Sequence, residues 1–219
     1  MQSRSTTSRW VAIVSLVVCG SLVACGGAPK QRRSGFLGDY SKLKPAEKFE
    51  GAYFWESPKL DQYQWKYMVD HVIVHFAPAA EGIGVDPEML EELTTEFTQK
   101  VKEVVAKRRT VVSKPGPGVA RIRIAITDIK TTTPVANIHP GSALIGMGLG
   151  GASVEGEVVD SLTGERLAAI YDSKAGSRVG TTAGLKKYGH AKQVMARWAE
   201  QFGKYLDELA KARAQRKGK

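Results

Sequence analysis

Cysteine is scarce in this chain of 219 residues: the only two, Cys19 and Cys25, lie near its amino end. From residue 26 onward the chain therefore offers no disulfide, no thiolate metal site and no cysteine nucleophile. Histidine is nearly as rare, with four in the chain. No Walker loop, His-Glu-x-x-His run or Gly-x-Ser-x-Gly elbow occurs. The motifs of P-loop enzymes, zinc peptidases and serine hydrolases are thus absent.

Charge is missing from residues 10–29, which follow Arg4 and Arg9. A short basic start before an apolar run is typical of an export signal. An uncleaved membrane anchor is the alternative, since about 20 uncharged residues can span a bilayer. Glycines and a serine near the end of the run make it a poor helix, which favours the export signal.

Residues 22–25 read Leu-Val-Ala-Cys and resemble a bacterial lipobox. This motif predicts a signal peptide over residues 1–24, cleavage between Ala24 and Cys25, and attachment of lipid such as palmitate to the Cys25 thiol. The acyl chains would anchor the protein to a membrane. Gly26 stands where the sorting rule of enteric bacteria places an aspartate for inner-membrane retention. We therefore expect the outer membrane, with the domain in the periplasm.

Basic residues outnumber acidic ones, giving a net charge of +10. Several lie at the carboxyl end: Lys211, Arg213, Arg216, Lys217 and Lys219. A basic surface at a membrane favours an anionic lipid or an envelope protein as partner. A solubilising tail is the alternative. Nucleic acid suits the charge but not the export signal, so it is not expected as a partner.

The chain divides by composition into three parts. After the signal, residues 25–57 comprise the lipidated cysteine, a polar tether and a segment dense in aromatic residues. That density is too high for disorder and predicts an extended segment packed over the domain, with a partner-binding peptide as the alternative. Residues 58–219 are long enough for a single domain, with the basic tail at its end.

Hydrophobic spacing predicts an α+β fold. Strands are expected at 68–76, 110–113, 120–127, 152–160 and 166–172, with helices after Asp86 and from about Ala191. Gly164 suits a hairpin turn that needs positive φ. The expected architecture is an antiparallel sheet of about four to five strands with two helices packed on one face. The predicted shared core comprises Leu90, Leu93, Phe97, Val101, Ile122, Ile124, Val154, Trp198, Phe202 and Leu206.

Three stretches resemble a known family. They are Ser-Gly-Phe-Leu-Gly-Asp-Tyr-Ser-Lys-Leu at 34–43, Pro-Gly-Pro-Gly at 115–118 ahead of the strand at 122–128, and Asp-Ser with Thr-Gly-Glu over 160–165. They are similar to the DUF3313 family of predicted bacterial lipoproteins. The resemblance implies a lipoprotein and, because that family has no known function, no activity.

Candidate metal ligands are poorly spaced. His71 and His75 would lie about 13 Å apart on a strand, too far to share an ion. His139 and His190 show no ligand spacing either. No metal or other cofactor is predicted.

Glu155 and Glu157 fall on one face of a predicted strand, as an acid pair does in a glycosidase. Arg121, Arg123 and Arg166 flank them, which favours a surface ladder of ion pairs instead. No catalytic residue is therefore predicted.

Residues 141–151 form an uncharged, glycine-rich stretch whose apolar members include Leu144, Ile145, Met147 and Leu149. Its Gly-x-Gly-x-x-Gly pattern does not lie between a strand and a helix, as a dinucleotide-binding site requires. We consider two roles: a contact loop that inserts into lipid, binds an apolar ligand or docks on a partner, and a loop packed on the core. The sequence as a whole predicts a non-catalytic envelope lipoprotein that binds or assembles. A periplasmic hydrolase with an unrecognised site is the alternative.

Overall fold

The computed structural model describes residues 32–47, 49–63, 65–131, 150–176 and 186–217. These ranges belong to one compact unit. Within them, no helix combines the length and the apolar character needed to cross a membrane. The signal peptide and Cys25 lie outside the described residues.

Eight strands, two α-helices and a short 3-10 helix follow one another along the chain. In order they are β1 (Lys44–Pro45), β2 (Tyr53–Glu56), the 3-10 helix (Pro58–Gln62), β3 (Lys66–Val69), β4 (Ile73–Val74), α1 (Pro87–Ala106), β5 (Thr110–Val111), β6 (Val119–Lys130), β7 (Gly151–Asp160), β8 (Arg166–Ala175) and α2 (Gly189–Lys217). The first two strands show that the sheet begins well before residue 58.

All eight strands join one mixed sheet in the order β1-β2-β8-β7-β6-β3-β5, with β4 also paired to β6. The strands from β1 to β6 in that order are antiparallel. In contrast, β3 and β4 run parallel to β6, and β3 runs parallel to β5. The prediction of a purely antiparallel sheet of four to five strands is therefore wrong. The parallel pairs arise because α1 is a helical crossover, which returns the chain to the sheet in the same direction.

The single strand predicted over 68–76 is two strands, β3 and β4. Between them, the backbone N–H of Val72 donates to Thr98 Oγ1 of α1 at 2.8 Å. The break between β3 and β4 cannot be deduced from a continuous run of β-branched residues, because the acceptor that competes for the Val72 N–H, Thr98 Oγ1, is remote in sequence.

The start of α1 follows the predicted signals. Asp86 is its N-cap, with Oδ1 accepting from the Glu88 N–H at 2.9 Å, and Pro87 occupies the first turn. Gly164 has φ of +72° in the β7–β8 hairpin, as expected.

One hydrophobic core lies between the sheet and the two helices. All ten predicted members belong to it. Seven are buried, and Leu90, Ile124 and Phe202 pack against it partly exposed. The rings of Phe97 on α1 and Trp198 on α2 lie 6.3 Å apart, joining the helices.

Candidate functional site

A buried carboxylate lies at the centre of the sheet. Glu155 is in the middle of β7 and has no solvent exposure. It accepts hydrogen bonds from Ser34 N–H at 2.7 Å, Leu37 N–H at 3.3 Å and Tyr40 Oη at 2.6 Å. All three donors belong to residues 34–43, called here the leading segment. Among the described residues no lysine or arginine pairs with Glu155, and the hydrogen-bond donors of the leading segment help to offset its charge.

Glu157, two residues along the same face, fixes the leading segment indirectly. It is 6% exposed and accepts from Arg123 at 2.6 Å and from Arg166 at 2.8 Å. Arg166 also donates to the carbonyl oxygens of Leu37 and, at 2.9 Å, Asp39. One guanidinium thus joins a buried carboxylate to the turn of the leading segment.

The prediction of Glu155 and Glu157 as a solvated ladder is wrong. Arg123 does face Glu157 in the strand register, as expected. Arg121 instead pairs with Asp70 at 2.8 Å. The leading segment covers this face, which converts an apparently polar strand face into a buried one. The apolar and polar side chains that alternate along β7 therefore face two different buried surfaces. The apolar ones face the hydrophobic core, and the polar ones face the leading segment.

Apolar contacts complete the attachment. Leu37 and Tyr40 pack on Ala169 of β8, with Phe36 and Leu43 beside them. The guanidinium of Arg123 lies 5.5 Å from the ring centre of Phe36. The predicted packing of the aromatic segment over the domain is confirmed for these residues.

Burial and the hydrogen bond to Glu155 raise the pKa of Tyr40 above its ordinary value of 10.0. Both causes favour the protonated phenol, which is the form that donates to the carboxylate. The hydroxyl of Tyr40 also accepts from the Gly35 N–H at 2.8 Å. The Tyr40 hydroxyl therefore joins Gly35, near the beginning of the leading segment, to Glu155 of the sheet.

A second feature lies on the helix side of the sheet. An apolar cavity of about 90 Å³ is bounded by β6, β7 and β8 below and by α1 and α2 above. Its lining includes Phe54, Ile124, Ile170, Ala199, Gln201 and Phe202. The polar groups of its aromatic walls are already engaged: Trp198 Nε1 donates to Asp172 at 2.7 Å, and the Tyr205 hydroxyl donates to Glu56. The cavity surface is therefore mostly apolar, with Gln201 as a polar residue of the lining.

The predicted contact loop falls mostly outside the described residues. Outside them lie Leu144, Ile145, Met147 and Leu149, and also Ala24 and Cys25. The loop's last residues are fixed, because Gly150 N–H donates to the buried His190 Nδ1 at 3.0 Å and Gly151 begins β7. His190 thereby has a structural contact that sequence spacing did not indicate.

The basic carboxyl end is less free than predicted. Arg213 is buried and donates to the Leu60 carbonyl at 2.7 Å and to Asp61 at 3.2 Å. Arg216 also pairs with Asp61. Arg213 and Arg216 therefore do not belong to a free basic tail, because the 3-10 helix places the acidic side chain of Asp61 beside α2.

Of the other histidines, His71 and His75 are both exposed and flank β4, and His139 lies outside the described residues. Within the described ranges no cluster of three or more histidine, cysteine or acidic residues has the geometry to hold a metal.

Comparison with known proteins extends these observations. Residues 32–202 match the family described as a protein of unknown function, DUF3313. An uncharacterized lipoprotein, YdcL, of Escherichia coli strain K12 is 25% identical over 199 residues, covering 81% of this chain and 88% of the relative. The protein of the same name in Escherichia coli O157:H7 matches with the same identity and coverage.

Two solved structures match this chain at low similarity. A PelC dodecamer from Paraburkholderia phytofirmans matches with a TM-score of 0.39 and 9% identity, over 68% of this chain and 96% of that one. A DUF330 protein from Xanthomonas campestris matches with a TM-score of 0.38 and 12% identity, over 73% and 94% of the respective chains. Neither TM-score reaches 0.5, so nothing about the action of this chain follows from them.

Proposed function

Because this chain belongs to the DUF3313 family and resembles a lipoprotein along most of its length, we propose that it is a non-catalytic lipoprotein of the bacterial envelope. Its domain binds or assembles with envelope components on the periplasmic side. The acyl chains on Cys25 hold it at the outer membrane, in keeping with Gly26 at the sorting position.

The observation that carries this proposal is the fixation of the leading segment by Glu155. Cys25 and Ser34 are nine positions apart, and an extended chain spans at most about 3.3–3.6 Å per residue. The sheet face that holds Ser34 therefore lies within roughly 30 Å of the lipidated residue. Such a bounded distance suits a component that acts at the membrane surface.

The state of the two buried acids supports a structural role for them. A general acid or nucleophile needs a carboxyl group that faces substrate. Glu155 is instead occupied by three donors of the leading segment, and Glu157 by two arginines. Glu155 and Glu157, the acid pair considered for a hydrolase, therefore have their carboxylates occupied by contacts within the fold.

The anchoring part of the proposal is tested by Cys25→Ser, with Cys19→Ser in the expected signal peptide as the matched control. We expect Cys25→Ser to leave an uncut precursor or a protein released from membranes, and Cys19→Ser to behave as wild type. Mass spectrometry and membrane fractionation give the result. Recovery of Cys25→Ser as a membrane-bound chain beginning at residue 25 would refute the anchor.

The outer-membrane assignment is tested by Gly26→Asp against Gly26→Ser. Aspartate at this position is expected to retain the protein in the inner membrane, whereas serine leaves it in the outer membrane. Separation of the two membranes on a sucrose gradient measures this. Wild-type protein in the inner-membrane fraction would overturn the assignment.

The binding or assembly role is tested by lengthening the tether with 12 Gly-Ser residues after Gly27, against the same insertion after Lys219. We expect crosslinks to envelope components in intact cells to fall only with the longer tether. Equal crosslinking by both proteins would contradict a role that depends on distance from the membrane.

A further inference from the structure

Two isoleucines are exposed close to the point where the tether enters the fold. Ile73 on β4 is 45% exposed, and Ile83, in the loop that follows β4, is 60% exposed. In the described part of the chain, the other large apolar side chains that are exposed are Trp65 and Leu162. Single exposed apolar residues are common on protein surfaces. The two isoleucines differ from such cases in what surrounds them.

Ile73 lies on the sheet face that the leading segment covers. It is in register with Ala125, which is in register with Glu155, so the three side chains leave the sheet on one side. His75 follows two positions later, and its ring centre lies 6.3 Å from that of Phe36 in the leading segment. The exposed side of β4 is therefore next to the start of the leading segment.

The loop that carries Ile83 contacts the residues just before the leading segment. Arg32 donates a hydrogen bond to the carbonyl oxygen of Ala79 in this loop. The Ile83 N–H donates to the carbonyl oxygen of Ala80 at 3.4 Å, so Ile83 lies one turn from the contact with Arg32. The surface around this point is called here the tether surface, and it comprises Arg32, Arg33, Phe36, Ile73, His75 and Ile83.

The tether surface carries positive charge that is not neutralised within the fold. Arg32 and Arg33 are exposed, and neither forms an ion pair within the described ranges. The acids nearby are already paired: Glu81 with Lys130 at 3.5 Å, and Glu157 with two arginines. Exposed apolar side chains beside unpaired arginines suit the interface of an anionic bilayer, where hydrocarbon and phosphate lie at neighbouring depths.

The tether limits how far this surface can lie from the lipid on Cys25. Cys25 and Arg32 are seven positions apart, and an extended chain of that length spans roughly 25 Å. A compact domain of this size is roughly 40 Å across. Because the tether is shorter than the domain, the surface that receives the tether stays closest to the bilayer. The length of the tether and the charge of the surface thus indicate the same occupant.

We propose that the tether surface rests on the anionic phospholipid head groups of the membrane that holds Cys25. Ile73 and Ile83 enter the interface, while Arg32 and Arg33 contact phosphate oxygens. The anchor and this contact together hold the domain in one orientation. The inference rests on the proposed function, because it requires the lipid on Cys25, and it adds which side of the domain faces the membrane.

Leu162 at the tip of the β7–β8 hairpin provides a matched comparison, because it is 60% exposed, as Ile83 is. The start of the loop that carries Ile83 is hydrogen-bonded to Thr127, and the start of the hairpin is hydrogen-bonded to Val119. Thr127 and Val119 are eight positions apart on β6, which is roughly 26 Å in a strand. The two side chains therefore belong to opposite ends of the sheet.

The test uses the mature lipidated protein in nanodiscs that contain phosphatidylglycerol. The probe is a phosphatidylglycerol with a diazirine close to its head group, and mass spectrometry locates the adducts after irradiation. Peptides that contain Ile73 or Ile83 should be labelled several-fold more strongly than the hairpin peptide that contains Leu162. Equal labelling of these peptides, or no labelling at the isoleucines, overturns the proposal.

The apolar contact is tested with Ile83→Asp against Leu162→Asp, with labelling of the peptide that contains Ile73 as the readout. Ile83→Asp should lower that labelling about fivefold or more, because a charge replaces an apolar side chain at the interface. Leu162→Asp should leave it unchanged. If Ile83→Asp fails to fold by circular dichroism, Ile83→Ser takes its place. Unchanged labelling in the folded variant overturns the proposal.

The charge contact is tested by changing Arg32 and Arg33 together to Gln. The matched control changes Lys66 and Lys114 to Gln, since both are exposed and Lys66 is in register with Val119 at the other end of β6. The arginine variant should lose labelling about tenfold at low salt and less at high salt. Equal losses in both variants would show a general effect of net charge and overturn the assigned surface.

A protein partner is the competing occupant of the tether surface. If Ile83→Asp abolishes a crosslink to an envelope protein in intact cells while lipid labelling stays at the wild-type level, the proposal is overturned. Absence of labelling in a protein whose Cys25 carries lipid defeats this inference and leaves the anchor standing. An unmodified Cys25 in the mass spectrum defeats the anchor itself.

Discussion

Tyr40 and Glu155, 115 positions apart in sequence, are joined by a 2.6 Å hydrogen bond between the phenol and Oε2. This contact links the leading segment to the centre of the sheet. Since Glu155 is fully buried and no cation pairs with it within the described residues, each donor of the leading segment contributes to holding its charge.

We predict that Tyr40→Phe lowers the free energy of unfolding by about 1 to 3 kcal/mol, because it leaves a buried carboxylate oxygen with one donor fewer. Hydrogen exchange should also show lost protection at the amides of Ser34 and Leu37. Tyr53→Phe on β2 is the control, since no hydrogen bond of its hydroxyl is present among the described residues. Unaltered protection in Tyr40→Phe would contradict the assigned role.

The same bond predicts a response to high pH. The pKa of Tyr40 is raised in the folded state, so its contribution is complete below the ordinary tyrosine pKa and is lost as pH rises through the raised value. We expect the wild type to lose protection of the leading segment in that range before the sheet unfolds. Tyr40→Phe should show no such step in exchange measured against pH.

Asp160 stabilises the β7–β8 hairpin with a different pH dependence. Its carboxylate accepts from Tyr63 Oη at 2.6 Å and from the Leu162 and Thr163 amides. The hydrogen bond from Tyr63 is the main cause that lowers the pKa of Asp160 to about 2, from 3.8. A depressed acid pKa contributes stability that is present above the unfolded value and is lost as pH falls from about 4 to about 2.

Asp160→Asn should therefore lower the free energy of unfolding by about 1 to 2 kcal/mol at pH 7, with the difference shrinking below about pH 4. Urea titrations at several pH values measure this. Glu165→Gln, which breaks an exposed pair with Lys59, should cost less than about 0.5 kcal/mol. A difference between wild type and Asp160→Asn that persists at pH 2 would refute the linkage.

The helix packing predicts a large cost for core truncation. Phe97→Ala or Trp198→Ala should each lower the free energy of unfolding by about 3 to 5 kcal/mol, because both rings are buried where α1 meets α2. Trp65→Ala is the control, since that side chain is 65% exposed. Urea midpoints that barely move in the first two variants would contradict the packing.

The apolar stretch 141–151 stays a predicted contact loop. Leu144→Asp with Met147→Asp should abolish partner or lipid binding at any salt, because the contact is hydrophobic. Neutralising Lys217 and Lys219 should matter only at low salt, where surface charges are weakly screened. Liposome sedimentation at two ionic strengths separates the effects. Binding that survives both sets of changes would exclude this surface.

The sequence predicts well what is local or periodic. The cap at Asp86, the turn at Gly164 and the ten core positions follow from spacing and residue type alone. The positions of β4 and β5 lie within the predicted strands at 68–76 and 110–113, whereas β1, with two residues, is too short for a pattern to register. The parallel pairing of β4 with β6 and of β5 with β3 depends on the crossover of α1 and is not visible in the sequence pattern.

The burial of Glu155 could not be predicted from the sequence, for a different reason. A strand with alternating glutamates favours an exposed face, because an unpaired buried carboxylate is costly. Backbone amides more than 100 positions earlier in the chain donate to Glu155 and make its burial tolerable. The sequence does not mark such donors, because nearly every residue type has a backbone N–H. The aromatic density of the leading segment was the available signal. It indicated that the segment packs, without indicating what lies beneath it.

The distance in sequence between the leading segment and β7 also sets an order of events. A chain exported from its amino end presents Cys25 and residues 34–43 long before residue 155 arrives. The contacts with Glu155 exist only once β6, β7 and β8 have paired, so docking of the segment follows assembly of the sheet. During that interval residues 34–43 are not yet docked. Under the proposed function, lipid is therefore transferred to Cys25 before the leading segment closes onto the sheet.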